Sequence, residues 1–455
     1  MIKFKLTQYN YQALPYLAEF LRQNKEKEVE IEPTHQLDDL PRFSEITPFL
    51  YSILDYEQFF GVWLKNIPFC VLSPEAVDHI IREDNFQGKK TKDCQNCFWD
   101  NFCPGFPPGY LDKYGKNEVC PRPDLPWEVM IEVEPKCNFN CQFCFNKISF
   151  AKDGRNIKEF DASYLKKVID GIAKAGIKIV RFTGGEPMLR KDIFELIKYA
   201  KNKGLETRLN TNGSLINQKT VEKLKGILDN VLIPIESYAD KKEAEITGCA
   251  NSLKKKIEAI KLLKKENIPI VRAGTVATGE NILNFDKISD FLFQLPIDEW
   301  ELYRPIPVSG KEELNSKLIN LLVEKIIELR KKTQKAVFIA NALPFCAVNN
   351  LNKINSVSKG GLFDDGHTRV VIDPRRFVKP HYFIEENIGD PLDIIGAWQH
   401  PFLKGIRNLK FLPKECHHCR FVYKCRGGSR FAAKLVFGQY QKRDPLARQV
   451  NFKKT

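Results

Sequence analysis

Between Trp127 and Pro305, short apolar and β-branched runs alternate with stretches whose apolar residues recur three and four apart. The runs predict strands over 127–134, 177–183, 206–212, 230–236, 269–276 and 300–304, with helices over 164–174, 193–202, 220–228, 253–265 and 282–292. Strands separated by helices pair in parallel through right-handed crossovers. The fold class is therefore α/β. Curled into an open, partial (β/α)6 barrel, six such strands would present their working face at their C-terminal ends.

Outside this stretch the pattern changes. Pro104-Gly-Phe-Pro-Pro-Gly109 and Pro121-Arg-Pro-Asp-Leu-Pro126 read as a connector, which sets residues 1–126 apart from a barrel over 127–310. A helix over 312–332 leads into a C-terminal module, 311–455, with turns at Lys359-Gly-Gly361 and Asp364-Asp-Gly366. The basic, polar last dozen residues read as a loose end.

With 455 residues, 43% of them hydrophobic and 28% charged, the chain can bury a large core, which excludes a disordered or fibrous protein. No apolar run approaches the ~18 to 20 residues of a membrane helix, and no apolar segment precedes Tyr9, so a cytoplasmic protein off the membrane is expected. The net charge of +14, from 71 basic and 57 acidic residues, would suit RNA, an anionic membrane surface or an acidic peptide. The excess is diffuse, however. Lys254-Lys255-Lys256 and Lys264-Lys265 interleave with apolar residues at helical spacing and read as a solvated helix face, so charge alone names no partner.

Thirteen cysteines without an export signal argue for thiolate ligands rather than disulfides. Their grouping reveals a repeat. Pro68-Phe69-Cys70 precedes Cys94, Cys97 and Cys103 just as Pro344-Phe345-Cys346 precedes Cys416, Cys419 and Cys425, each trio spaced C-x2-C-x5-C. A third group, Cys137, Cys141 and Cys144, follows the first barrel strand with spacing C-x3-C-x2-C, and Cys120 and Cys249 remain outside the groups. Three thiolates in one tight loop can hold three irons of a cubane and leave the fourth iron open to another ligand. The next strand ends in Thr183-Gly184-Gly185-Glu186-Pro187, whose glycines permit close approach to the backbone and whose carboxylate accepts hydrogen bonds.

On Cys137, Cys141, Cys144 and Gly184-Gly185-Glu186-Pro187, in that order and on those elements, the chain resembles the radical S-adenosylmethionine (SAM) superfamily. The resemblance implies a 4Fe-4S cluster on the three cysteines, its fourth iron chelated by SAM. It places Phe143 near the adenine, Gly184 to Pro187 at the methionine amino group, and Asn212 and Glu236-Ser237 at the ribose or methionine. It further implies reductive cleavage of SAM to a 5′-deoxyadenosyl radical that abstracts hydrogen from a substrate.

The end modules resemble the SPASM/twitch auxiliary-cluster extensions of radical SAM maturases. Against that longer pattern, Ser429 stands where a fourth cysteine belongs, and Arg376 and His381 stand where a glycine and a cysteine belong. One C-terminal cluster on Cys346, Cys416, Cys419 and Cys425 is therefore expected. The parallel N-terminal set is Cys70, Cys94, Cys97 and Cys103, with Cys120 as an alternative to Cys70, and four thiolates suit zinc as well as iron. The expected partners are a peptide, protein or small cofactor-precursor substrate and a low-potential electron donor such as ferredoxin or flavodoxin. Rival readings are an RNA-modifying radical SAM enzyme and a non-enzymatic, zinc-stapled binding protein.

Overall fold

The computed structural model describes the chain except residues 27, 57–59, 74–75, 77–78, 82–85, 145–160, 308–312, 364–365, 385 and 449–455. Asp364 and Asp365 of the predicted turn, residue 312 at the predicted helix start, and the end of the basic tail thus lie outside the described residues. The chain divides into two compact units, Met1–Asp124 and Leu125–Thr455. None of the described helices is long and apolar enough to cross a membrane.

The first unit is a four-stranded parallel sheet, ordered β1 (Ile2–Leu6), β2 (Glu28–Pro33), β3 (Gly61–Lys65), β4 (Ile80–Ile81). Helix Leu14–Gln23 links β1 to β2 and helix Phe43–Leu54 links β2 to β3. The core lies between sheet and helices, where Val29 and Ile31 of β2 and Leu14, Phe43, Ile46 and Leu50 are buried.

The second unit is built on a nine-stranded sheet. Its strands are β5 (Glu128–Glu134), β6 (Ile179–Gly184), β7 (Glu206–Asn210), β8 (Asn230–Pro234), β9 (Ile270–Val276), β10 (Glu299–Tyr303), β11 (Ala336–Ile339), β12 (Arg369–Ile372) and β13 (Val378–Lys379). The spatial order is β11-β10-β9-β8-β7-β6-β5-β12-β13, all neighbours parallel except β12 and β13. The six barrel strands, β5 to β10, lie in chain order, as a right-handed βα winding requires. Strands from the C-terminal stretch extend both edges: β11 joins β10, and β12 joins β5.

The outer helices follow their apolar stripes. Helix Ala162–Lys174 buries Leu165, Val168, Ile169 and Ile172, and helix Ile193–Asn202 buries Ile193, Leu196, Ile197 and Ala200. Asp161 caps the first by accepting the Tyr164 N–H at 2.8 Å. Helix 282–292 proves to be two, Gly279–Leu283 and Phe285–Leu292, because Asn284 ends one and begins the next. The helix expected over 220–228 is Gln218–Leu224, and helix Asp240–Thr247 went unpredicted.

Alternate residues of the strands point to the interior, and there they are charged. Glu128 of β5 accepts from Arg181 of β6 at 2.6 Å and meets Arg369 of β12 at 3.2 Å, while Arg272 of β9 pairs with Glu301 of β10 at 2.7 Å. Burial opposes ionisation of Glu301, yet the charges of Arg272 and Lys359 hold its carboxyl down at about 2, and Arg181 adds to the effect. Arg181 and Glu301 have three strands between them, which on a flat sheet would part them by ~19 Å. Their mutual influence requires the sheet to curl. These ion pairs fill the barrel beneath its C-terminal rim, where the motifs lie.

Candidate functional site

β5 runs through Pro135 and Lys136 directly into the loop bearing Cys137, Cys141 and Cys144, so the thiols sit at the C-terminal rim of the barrel. Three other rim segments fasten this loop. After β6, the Gly185 and Glu186 N–H groups donate to the carbonyls of Glu134 and Lys136 at 2.6 and 2.8 Å. After β7, Asn212 Nδ2 donates to Asn138 Oδ1 at 2.8 Å and approaches Cys137 Sγ at 3.8 Å, while Asn138 Nδ2 reaches Ser214 Oγ at 2.9 Å. After β8, helix Asp240–Thr247 offers its last carbonyls: Thr247 accepts the Asn140 N–H and Ile246 the Gln142 N–H, both at 2.9 Å.

The two glycines have a definite steric role. Gly184 has φ of 131°, and a Cβ on Gly185 would fall 2.1 Å from the Lys136 carbonyl oxygen. Their approach is to the backbone that enters the cysteine loop. Glu186 is fully buried, and its carboxylate accepts the Met188 N–H at 2.9 Å, the Thr211 hydroxyl at 2.6 Å and the Asn212 N–H at 2.7 Å. It thereby locks the β6 and β7 ends together. Pro187 begins the short 3-10 turn Pro187–Leu189, and Phe143 is half-buried within the loop.

Beneath the loop lies a buried charge cluster that sequence reasoning missed. Glu243 accepts the Glu236 and Ser237 N–H groups at 2.9 and 2.7 Å and pairs with Lys256 at 2.5 Å. Lys256 is 1% exposed and its ammonium lies 5.6 Å from the Phe139 ring centre, between Cys137 and Cys141 in the chain. The expectation of a solvated face holds for exposed Lys254 and Lys255 and fails for Lys256. A signal was present: Lys256 occupies the buried stripe of Leu253, Ala259, Ile260 and Leu263. Burial, reinforced by the Glu243 charge, raises the Glu236 carboxyl to about 8. Burial likewise pushes the Cys141 thiol up to about 12 against the pull of Lys256.

The remaining cysteine sets also come together. Cys346, Cys416, Cys419 and Cys425 line one pocket in the second unit, and Cys70, Cys94, Cys97 and Cys103 line one in the first. Cys120 is exposed, and its backbone hydrogen-bonds to Cys70. His417 and His418 are exposed, and His381 is packed between Phe431 and Phe383 at 5.2 and 4.4 Å. Ser429 caps helix Arg430–Phe437 by accepting the Ala432 N–H at 3.1 Å.

These donor sets suit iron–sulfur clusters. Burial raises the Cys70, Cys416 and Cys419 thiols, so a metal binding there displaces their protons, and thiolate is the ligand of such clusters. Among the described residues no three His, Cys, Asp or Glu side chains converge on a single ion-sized point.

Residues 131–292 match the family model described as the radical SAM superfamily. The chain is 28% identical over 179 residues to a PqqA peptide cyclase of Bradyrhizobium diazoefficiens, covering 39% of this chain and 46% of that relative, less than half its length. It is 34% identical over 247 residues to a probable GTP 3',8-cyclase of Sulfurisphaera tokodaii, covering 51% of this chain and 73% of the relative. Among solved structures, SuiB of Streptococcus suis bound to precursor peptide SuiA shares the fold, with a TM-score of 0.55 and 18% identity over 72% of this chain and 76% of that one.

Proposed function

Because the chain belongs to the radical SAM superfamily, we propose that its barrel rim binds a 4Fe-4S cluster and SAM and that the enzyme abstracts hydrogen from a peptide substrate. The observation that carries this reading is a loop of three thiols fastened to the ends of β6, β7 and helix Asp240–Thr247. Bound there, cluster and SAM would supply one electron and a 5′-deoxyadenosyl radical for hydrogen abstraction.

The chain's own residues fix where that chemistry happens. Cys137, Cys141 and Cys144 are the cluster ligands, and their number leaves one iron to SAM. The Phe139 N–H donates to Cys137 Sγ at 3.4 Å, and Asn212 stands on its other side, so this sulfur's negative charge is spread into two donors. Glu186 holds the Thr211-Asn212 turn in place and so acts through Asn212. The resemblance would put SAM against Gly184 to Pro187, Asn212, Ser237 and half-buried Phe143. Below the rim the Arg181–Glu128 and Arg272–Glu301 pairs are buried.

A peptide substrate is favoured by two resemblances: SuiB is seen with its precursor peptide, and PqqA peptide cyclase is named for one. A small cofactor-type substrate is the second reading, favoured by the 34% identity to a probable GTP 3',8-cyclase. In either case the electron comes from a low-potential donor such as ferredoxin or flavodoxin. The test is anaerobic incubation with SAM and dithionite. 5′-Deoxyadenosine is expected from the native chain and none from Cys141→Ala; no product from either, with zinc in place of iron, contradicts the reading and leaves a metal-stapled binding protein.

A further inference from the structure

The two outer cysteine pockets are built on the same backbone plan. In the first unit, β2, helix Phe43–Leu54 and parallel β3 lead into Pro68 and the one-turn 3-10 helix Phe69–Val71. In the second, β10, helix Ser316–Thr333 and parallel β11 lead into Pro344 and the one-turn 3-10 helix Phe345–Ala347. The likeness continues into hydrogen bonds. The Phe69 N–H donates to Cys103 Sγ at 3.4 Å, and the Phe345 N–H donates to Cys425 Sγ, also at 3.4 Å.

Within each C-x2-C-x5-C trio the turns also agree. The second cysteine N–H meets the first carbonyl at 2.9 Å (Cys97, Cys94) and 3.1 Å (Cys419, Cys416). The third cysteine N–H meets the carbonyl of an aromatic residue two positions past the second, Trp99 and Phe421, at 2.8 Å in both. Those aromatics pack edge-on against the Phe of Pro-Phe-Cys, at 5.3 Å and 69° for Phe69 with Trp99 and 5.8 Å and 65° for Phe345 with Phe421. A chance convergence of two zinc knuckles would not reproduce a strand, helix, strand, sulfur-capping N–H and ring pair in one order.

We propose that Met1–Asp124 is a second cluster-carrying unit, holding on Cys70, Cys94, Cys97 and Cys103 the same iron–sulfur cluster as Cys346, Cys416, Cys419 and Cys425. Each set supplies four thiolates, so every iron of a cubane is thiolate-bound and no coordination position is free. Such a cluster exchanges single electrons with a one-electron donor and acceptor and does not ligate SAM or substrate. A thiolate-bound cubane is anionic, and a cation lines each pocket, Lys90 the first and Arg443 the second. The inference rests on the reading above only in taking the C-terminal set as an iron site.

The test is iron, sulfide and zinc analysis with electron paramagnetic resonance (EPR) spin counting on full-length protein purified anaerobically. The native chain is expected to hold about twelve irons from three cubanes, with no zinc. Cys94→Ser/Cys97→Ser and Cys416→Ser/Cys419→Ser should each lose about four irons and one dithionite-reducible spin, and Cys120→Ser should lose none. About eight irons and one zinc in the native chain, the zinc leaving with Cys94→Ser/Cys97→Ser, overturns the proposal whether or not that variant folds well. Unchanged iron in that variant also overturns it. Failure of the radical SAM reading is separate, since it would appear as no iron lost on replacing Cys137, Cys141 and Cys144.

Discussion

Cys137, Cys141 and Cys144 lie on one short loop whose shape is imposed from outside, by three neighbouring segments of the barrel rim. Each outer pocket is the reverse. Its cysteine trio makes its own turns, and the fourth thiol is delivered from far along the chain by a Pro-Phe-Cys segment latched through a single N–H. The number of thiols sets what each site can do. With a cubane bound, a three-thiol loop would keep one iron position free for a reactant, whereas a four-thiol pocket would leave only electron exchange.

Glycine substitutions should break the two kinds of site separately, with the largest effect. Gly185→Ala puts a Cβ 2.1 Å from the Lys136 carbonyl oxygen and should cut 5′-deoxyadenosine formation about 100-fold or more by displacing the loop. Gly360→Ala, with φ of 67° and a Cβ 2.3 Å from the Lys424 carbonyl oxygen beside Cys425, should instead lower iron content and leave dithionite-driven SAM cleavage standing. Equal loss of SAM cleavage in both would erase the distinction.

The buried Lys256 sharpens the comparison further. Lys256→Met leaves Glu243 charged, buried and unpaired, a cost of about 3 to 5 kcal/mol that should appear as a fall in Tm together with loss of barrel-cluster iron. Lys255→Met, on the exposed face, should change stability by less than about 0.5 kcal/mol. The smallest effect concerns Glu236. Its folded pKa, about 8, lies above the ordinary carboxylate value, so its contribution to stability is complete in acid and is lost as pH rises through about 8. Glu236→Gln should therefore flatten the decline of Tm between about pH 5 and about pH 8 by about 5 °C, read by thermal denaturation.

The motifs were legible because their information is local. Cysteine spacing and Gly-Gly-Glu-Pro survive in one dimension, and the apolar stripes of helices Ala162–Lys174 and Ile193–Asn202 announce the sheet they cover. The first unit's sheet was not legible, because β1 (Ile-Lys-Phe-Lys-Leu) and β2 (Glu-Val-Glu-Ile-Glu-Pro) are short and alternate charged with apolar residues, as half-exposed strands do. Lys256 escaped notice inside a lysine run, since only packing against Glu243 and Phe139 distinguishes it from its exposed neighbours. Glu186 looked like a ligand to an incoming amine, and the donors it meets are Thr211, Asn212 and Met188, none of them adjacent to it in sequence.

The central claim, that one chain carries an open three-thiol site and two closed four-thiol sites, is tested most directly by EPR of the dithionite-reduced, full-length protein with and without SAM. SAM is expected to alter the spectrum of the native chain and of Cys94→Ser/Cys97→Ser and Cys416→Ser/Cys419→Ser, and to leave unchanged the spectrum of a chain lacking Cys137, Cys141 and Cys144. A SAM-induced change that survives loss of those three cysteines, or that disappears with either outer pair, would contradict it.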